Sequence, residues 1–170
     1  MKKLLITLFA ALLLSGCAAA PQANSEYSAE DINFAEMMIP HHEQAILMSD
    51  IALTNSISEE ILVLAQEIKD AQSPEIELMK SWTGVDSSTH MGHMMDGMLS
   101  ESQIQELRDS EGATFDRLFL EGMIAHHEGA ITMAQKVTGS ENKEVAALAT
   151  AIIDAQEKEI AFMRELIKFY

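Results

Sequence analysis

Cysteine is nearly absent: the 170 residues contain one, Cys17. That excludes an intrachain disulfide framework, a cysteine-rich zinc site and an iron–sulfur cluster. Basic residues are also scarce, with 11 Lys and Arg against 27 Asp and Glu and a net charge of −16. A nucleic-acid binder needs a basic patch, so no nucleic-acid partner is expected. The acidity favours cations instead. Aromatics make up only 5%. No period-two alternation is sustained, so strands are not expected. The remaining composition, 48% apolar and 22% charged, is that of one ordinary globular domain. Two features stand out against it: 12 methionines, and six histidines that fall into three close pairs.

The first residues read as an address. Met1-Lys2-Lys3 is basic, and Leu4 to Leu14 is almost wholly apolar. That run is too short to span a bilayer but suits a signal-peptide core. It ends in Leu14-Ser15-Gly16-Cys17, which resembles a bacterial lipobox. The resemblance implies cleavage before Cys17 and lipid attachment to it. Residues 1–16 are then a lipoprotein signal peptide, and a lipid on Cys17 makes a membrane the partner. The mature protein is expected in the cell envelope, facing the periplasm or the exterior. Cleavage removes two of the 11 basic residues, so the net charge moves from −16 to −18. No free thiol remains, which fits an oxidising compartment. Residues 17–30, with Pro21 and small polar residues, read as a tether.

The rest of the chain repeats itself. FAEMMIPHHEQAILMS at 34–49 returns as FLEGMIAHHEGAITMA at 119–134, with ten of sixteen positions identical. LAQEIKDAQSPEIELM at 64–79 returns as LATAIIDAQEKEIAFM at 148–163. The offsets are 85 and 84, so one loop is shorter by a residue. Each unit holds two apolar-periodic segments, hence two helical hairpins and four main helices. The domain is expected over 31–168, with repeat one at 31–82, a connector at 83–112 and repeat two at 113–168. Ser28 caps a first helix that runs to about Leu53, and Ser56 with Glu59 caps a second that ends near Trp82. Ser100 with Gln103 opens a short helix in the connector. The third main helix runs from about Ala113 to Val137, and Ser140 caps the fourth. Pro40 and Pro74 each remove a backbone donor. Their repeat partners are Ala125 and Lys158, so the helices are expected to continue, with a kink beside His41.

The candidate donors follow the repeat. Met38 stands three residues before His41 and four before His42, on or near one helix face, with Met48 further on. Met123, His126, His127 and Met133 repeat the spacing. Facing helices of an antiparallel bundle bring such inward residues together, and metal sites in bundles are built there. Methionine at helical spacing is ordinarily core filler, and a lone histidine is ordinarily structural. Adjacent histidines, however, point about 100° apart, so both members of a pair are hard to explain as filler.

The donor types narrow the metal. Di-iron bundles use Glu-x-x-His, but here the residue three before each first histidine is Met38 or Met123. Thioether with imidazole suits Cu(I), and Ag(I) by the same softness, with Cu(II) left open. Glu43 and Glu128 are candidates to orient a histidine from behind. Gln72, Glu75 and Met79, matched by Gln156, Glu159 and Met163, share a stripe. The carboxylates among them read as a solvated face, as do Asp70 and Asp154.

Between the halves, residues 90–98 read HMGHMMDGM. His90, Met91, His93, Met94, Met95 and Met98 are candidate ligands of a second, weaker copper site. The glycines suggest a flexible connector.

The paired Met-Ile-x-His-His-Glu motifs, within FAEMMIPHHEQAILMS and FDRLFLEGMIAHHEGAITMA, resemble the bacterial domain-of-unknown-function family 305. The resemblance covers nearly all of Asp31 to Ile167. It implies an all-α, ferritin-like four-helix bundle in secreted or periplasmic proteins associated with copper binding and tolerance. By position, its motif residues are Met38, His41, His42, Met48, Met123, His126, His127 and Met133. Gly122 stands where the first copy has Met37, which makes Met37 a weaker candidate. The expected function is copper binding, with Cu(I) favoured, for buffering or tolerance, and without catalysis. A ferritin-like di-metal oxidoreductase and a structural lipoprotein without metal are the alternatives. The sequence does not fix the oligomeric state.

Overall fold

The computed structural model describes residues 26–90 and 92–170, so Cys17, the signal segment and Met91 lie outside it. The described residues form five α-helices: α1 (Ala29–Asn55), α2 (Glu59–Ser81), α3 (Glu101–Asp109), α4 (Gly112–Ala134) and α5 (Lys143–Leu166). Short 3-10 turns extend α4 and α5. Among the described residues there is no strand. The fold is all-helical, with hairpins α1–α2 and α4–α5 joined by a connector that carries α3.

Local chemistry sets most boundaries. Ser28 caps α1 through Asp31, and Ser100 caps α3 through Gln103, each in a reciprocal capping box. The helices continue through Pro40 and Pro74. Two expected caps are displaced. Ser58 rather than Ser56 caps α2, and Asn142 rather than Ser140 caps α5. The cause is the same in both repeats. The Ser56 hydroxyl donates to the buried carboxylate of Asp116 at 2.6 Å, while Ser140 bonds the buried Asp31. Each serine therefore ties its own hairpin loop to the other repeat. Burial pushes the Asp31 carboxyl up, but hydrogen bonds from Ser140 and Ser28 outweigh it and leave the group below its ordinary range.

The core has two apolar clusters. One holds Phe34, Met38, Met79, Trp82, Met133 and Val137. The other holds Met48, Leu64, Phe115, Phe119, Met123 and Met163. Helix α1 passes from the first cluster to the second, and α4 passes back, so the two central helices are antiparallel. The histidine pairs occupy the stretch of each helix between the clusters. His41 and His126 are repeat equivalents and their rings meet, which places an approximate twofold axis at their contact.

The connector is docked rather than loose over its last residues. Gly97 has φ +84°, and a Cβ there would lie 2.3 Å from the Ala125 carbonyl oxygen. A Cβ on Gly129 would lie 1.9 Å from the Asp96 carbonyl oxygen. These two glycines permit backbone to lie on backbone, so at Gly97 the expected flexibility is replaced by close packing. Gln44 fastens the strap, donating to the Leu99 carbonyl at 2.9 Å and accepting its N–H at 2.7 Å.

Candidate metal centre

His41, His42, His126 and His127 are all fully buried. Both members of each pair can be inside because α1 and α4 are covered on two sides. His41 faces α4, where its ring meets His126 with centroids 3.8 Å apart and planes tilted by 41°. His42 faces α2 and His127 faces α5. The His42 Nε2–H donates to Glu75 at 2.9 Å, and the His127 Nε2–H donates to Glu159 at 2.5 Å. The His41 Nε2–H donates to the Asp96 carbonyl at 3.1 Å.

These acceptors decide the tautomers. A carbonyl or carboxylate oxygen only accepts, so each Nε2 carries the proton and a neutral ring keeps a bare lone pair on Nδ1. Nδ1 of His41, His42 and His127 is buried without a hydrogen-bond partner, and neither nitrogen of His126 has one. Burial, and then the neighbouring His42, lower the His41 pKa to about 3. Burial, and then His41, hold His126 well below its ordinary value. Both rings are therefore neutral near pH 7, the form that binds metals.

The hydrogen bonds also fix helix register. In the antiparallel α1–α2 hairpin, the His42–Glu75 pair sets Met38 across from Met79, four residues back on one helix and four forward on the other. The His127–Glu159 pair does the same for Met123 and Met163. Met38, Met48, Met79, Met123 and Met163 are fully buried, and Met133 is 5% exposed. Met38, Met79 and Met133 share one cluster, and Met123, Met163 and Met48 share the other, as the twofold relation requires. Gln72 and Gln156 are also buried, with side-chain amide atoms unpartnered. Among the described residues no three His, Cys, Asp or Glu side chains are grouped so that they alone could hold a metal ion. The interior supplies imidazole from the four histidines and thioether from buried methionines in the clusters on either side of them.

Residues 31–167 match the family described as Domain of unknown function (DUF305). The chain belongs to that family. A DUF305 fragment from Deinococcus radiodurans has a similar structure, with a TM-score of 0.74 and 27% identity over 84% of this chain and 98% of that one. CopM in its Cu(II)-bound form matches with a TM-score of 0.72 and 34% identity, over 82% of this chain and 97% of CopM. CopM in its Cu(I)-bound form gives 0.66 and 31%, over 81% and 95%. No curated protein matches the chain.

Within this DUF305 protein the expected eight bundle residues are all interior. Glu43 and Glu128 are not beside the histidines; they reach outward to Lys80 and Arg164 at the surface. Glu75 and Glu159, which the sequence suggested were solvated, orient the imidazoles instead. Their recurrence at matched positions was the available signal; their inward reach depends on helix register. The connector donors separate. His90 and His93 face each other with Nδ1 atoms 3.2 Å apart. Met94 is 61% exposed, Met95 packs against the Trp82 cluster, and Met98 is half-buried beside the connector.

Proposed function

We propose that this DUF305 protein binds copper in its buried imidazole–thioether layer, as Cu(I), for metal buffering or tolerance. The observation that carries this is the set of buried, unpartnered Nδ1 atoms on His41, His42, His126 and His127. Leaving a buried polar atom unsatisfied costs roughly 1–3 kcal/mol, which a bound ion would offset. Three of the four rings are already oriented through Nε2, the usual support for a metal-ligating histidine. The donor set is soft, which favours Cu(I) and Ag(I) over harder ions. CopM, crystallised with Cu(II), with Cu(I) and with silver, supports the same class of ion.

The ferritin-like four-helix arrangement belongs to the proposal, as does a lipid on Cys17 that holds the domain in the cell envelope. The proposed role is binding, not catalysis.

Anaerobic Cu(I) titration against a competing chelator tests the site. His41→Ala/His42→Ala and His126→Ala/His127→Ala should each lose most of the tight binding, with helicity checked by circular dichroism. If both variants bind like the parent protein, the layer is structural. Cys17→Ser should release the protein from membranes; unchanged membrane attachment would remove the lipid anchor from the proposal.

A further inference from the structure

The connector carries a second arrangement, separate from the buried layer. On either side of Met91, the His93 N–H donates to the His90 carbonyl at 3.0 Å. Gly92, just before His93, has φ +81°, a conformation that other residues adopt only with strain. The two imidazoles meet edge to face, with ring centroids 5.4 Å apart. The two Nδ1 atoms are 3.2 Å apart, so one donates to the other in the metal-free molecule.

That separation matches a chelate. Two nitrogens on one cation at ~2.0 Å sit roughly 2.9 Å apart at a right angle and roughly 3.3 Å apart at a tetrahedral angle. A cation can therefore take the place of the proton between the two Nδ1 atoms, with the donor ring shifting that proton to its Nε2. His93 is exposed and His90 half-buried, so water has access to complete the coordination. Imidazole with water is a borderline donor set, unlike the thioether-rich interior. Such a set suits divalent first-row ions, and copper leads that series.

We infer that His90 and His93 form a solvent-facing bis-imidazole site for a divalent first-row cation, with Cu(II) the tightest binder. The site is chemically distinct from the buried layer and does not depend on it. The acidic surface raises the local concentration of cations around it. The hydrogen bond between the rings lowers the cost of binding, because the two imidazoles are already paired before the ion arrives.

The test is an aerobic Cu(II) titration of the purified protein, followed by electron paramagnetic resonance, with Zn(II) as competitor. The parent protein should bind one readily exchanged Cu(II) with nitrogen superhyperfine structure. His90→Ala and His93→Ala should each weaken that site at least tenfold, and the double variant should abolish it. Cu(I) uptake by the buried layer should be unchanged in all three. Gly92→Ala supplies the control for geometry, since nothing lies within 4 Å of its added Cβ. It retains both imidazoles and should weaken Cu(II) several-fold through backbone strain alone. A double variant that titrates like the parent, or a Gly92→Ala variant with unchanged Cu(II) affinity, overturns the inference. A parent protein that binds Cu(II) at this site but takes up no Cu(I) would count against the buried-layer proposal alone.

Discussion

Glu75 and Glu43 are both glutamates on the outer flank of a long helix, yet only one reaches an imidazole. The Glu75 and Glu159 side chains are 20% and 21% exposed, and each ends on a buried Nε2. The Glu43 and Glu128 side chains are 47% and 52% exposed and end on surface cations. Exposed ion pairs of the second kind contribute little, in the range of about 0–1 kcal/mol. The first kind orients a ligand. Glu75→Ala and Glu159→Ala should each weaken Cu(I) binding about 10–100-fold, the usual effect of removing a partner behind a metal ligand. Glu43→Ala and Glu128→Ala should leave it unchanged. Competitive Cu(I) titration of the four variants checks the contrast, and an equal loss in all four would refute it.

Between elements, the decisive contact is the strap laid across α4. Glycine in a helix interior normally weakens it, so by helix propensity alone Gly129→Ala would stabilise α4 by about 1 kcal/mol. Here the new methyl would meet the Asp96 carbonyl oxygen at 1.9 Å, and a backbone atom cannot rotate aside. Gly129→Ala should therefore displace the strap and destabilise the protein by roughly 1–3 kcal/mol. It should also remove the acceptor from His41. Gly139→Ala is the control, because nothing lies within 4 Å of its Cβ position, and its effect should stay within about 0.5 kcal/mol. Urea denaturation measures both, and limited proteolysis around residues 90–98 should accelerate only in Gly129→Ala.

At the scale of the whole molecule, the buried rings make the metal-free fold sensitive to acid. The folded-state pKa of His41, about 3, lies below its ordinary value of 6.5, and His126 shifts the same way. Between those values the unfolded chain takes up protons that the folded core refuses. Stability is therefore fully present above about pH 6.5 and falls as the pH drops toward 3. The urea midpoint of the metal-free protein should fall from pH 7 to pH 4.5. A His41→Leu/His126→Leu variant should show a shallower fall over the same interval. An equal slope would mean that other groups, such as the many carboxylates, govern acid unfolding.

What the sequence determined by itself was local or repeated. Ser28 with Asp31 and Ser100 with Gln103 act within one turn, so their caps were legible before any packing was known. The two His-His-Glu copies announced two equivalent halves, and their methionines indicated a soft donor set. The tertiary structure decided which polar groups turn inward. Ser56 and Ser140 looked like caps until the buried Asp116 and Asp31 of the opposite repeats claimed them. Glu75 and Glu159 looked solvated because their helices show polar flanks; only the register against α1 and α4 brings them to His42 and His127. Gly97 suggested a loose connector, yet its missing side chain lets the strap lie on α4 and present a carbonyl to His41. Periodicity and capping depend on neighbours within a few residues and can be read along the chain. The reach of Glu75 and Glu159 depends on a helix whose histidine lies 33 and 32 positions away, and that distance closes only when the core packs.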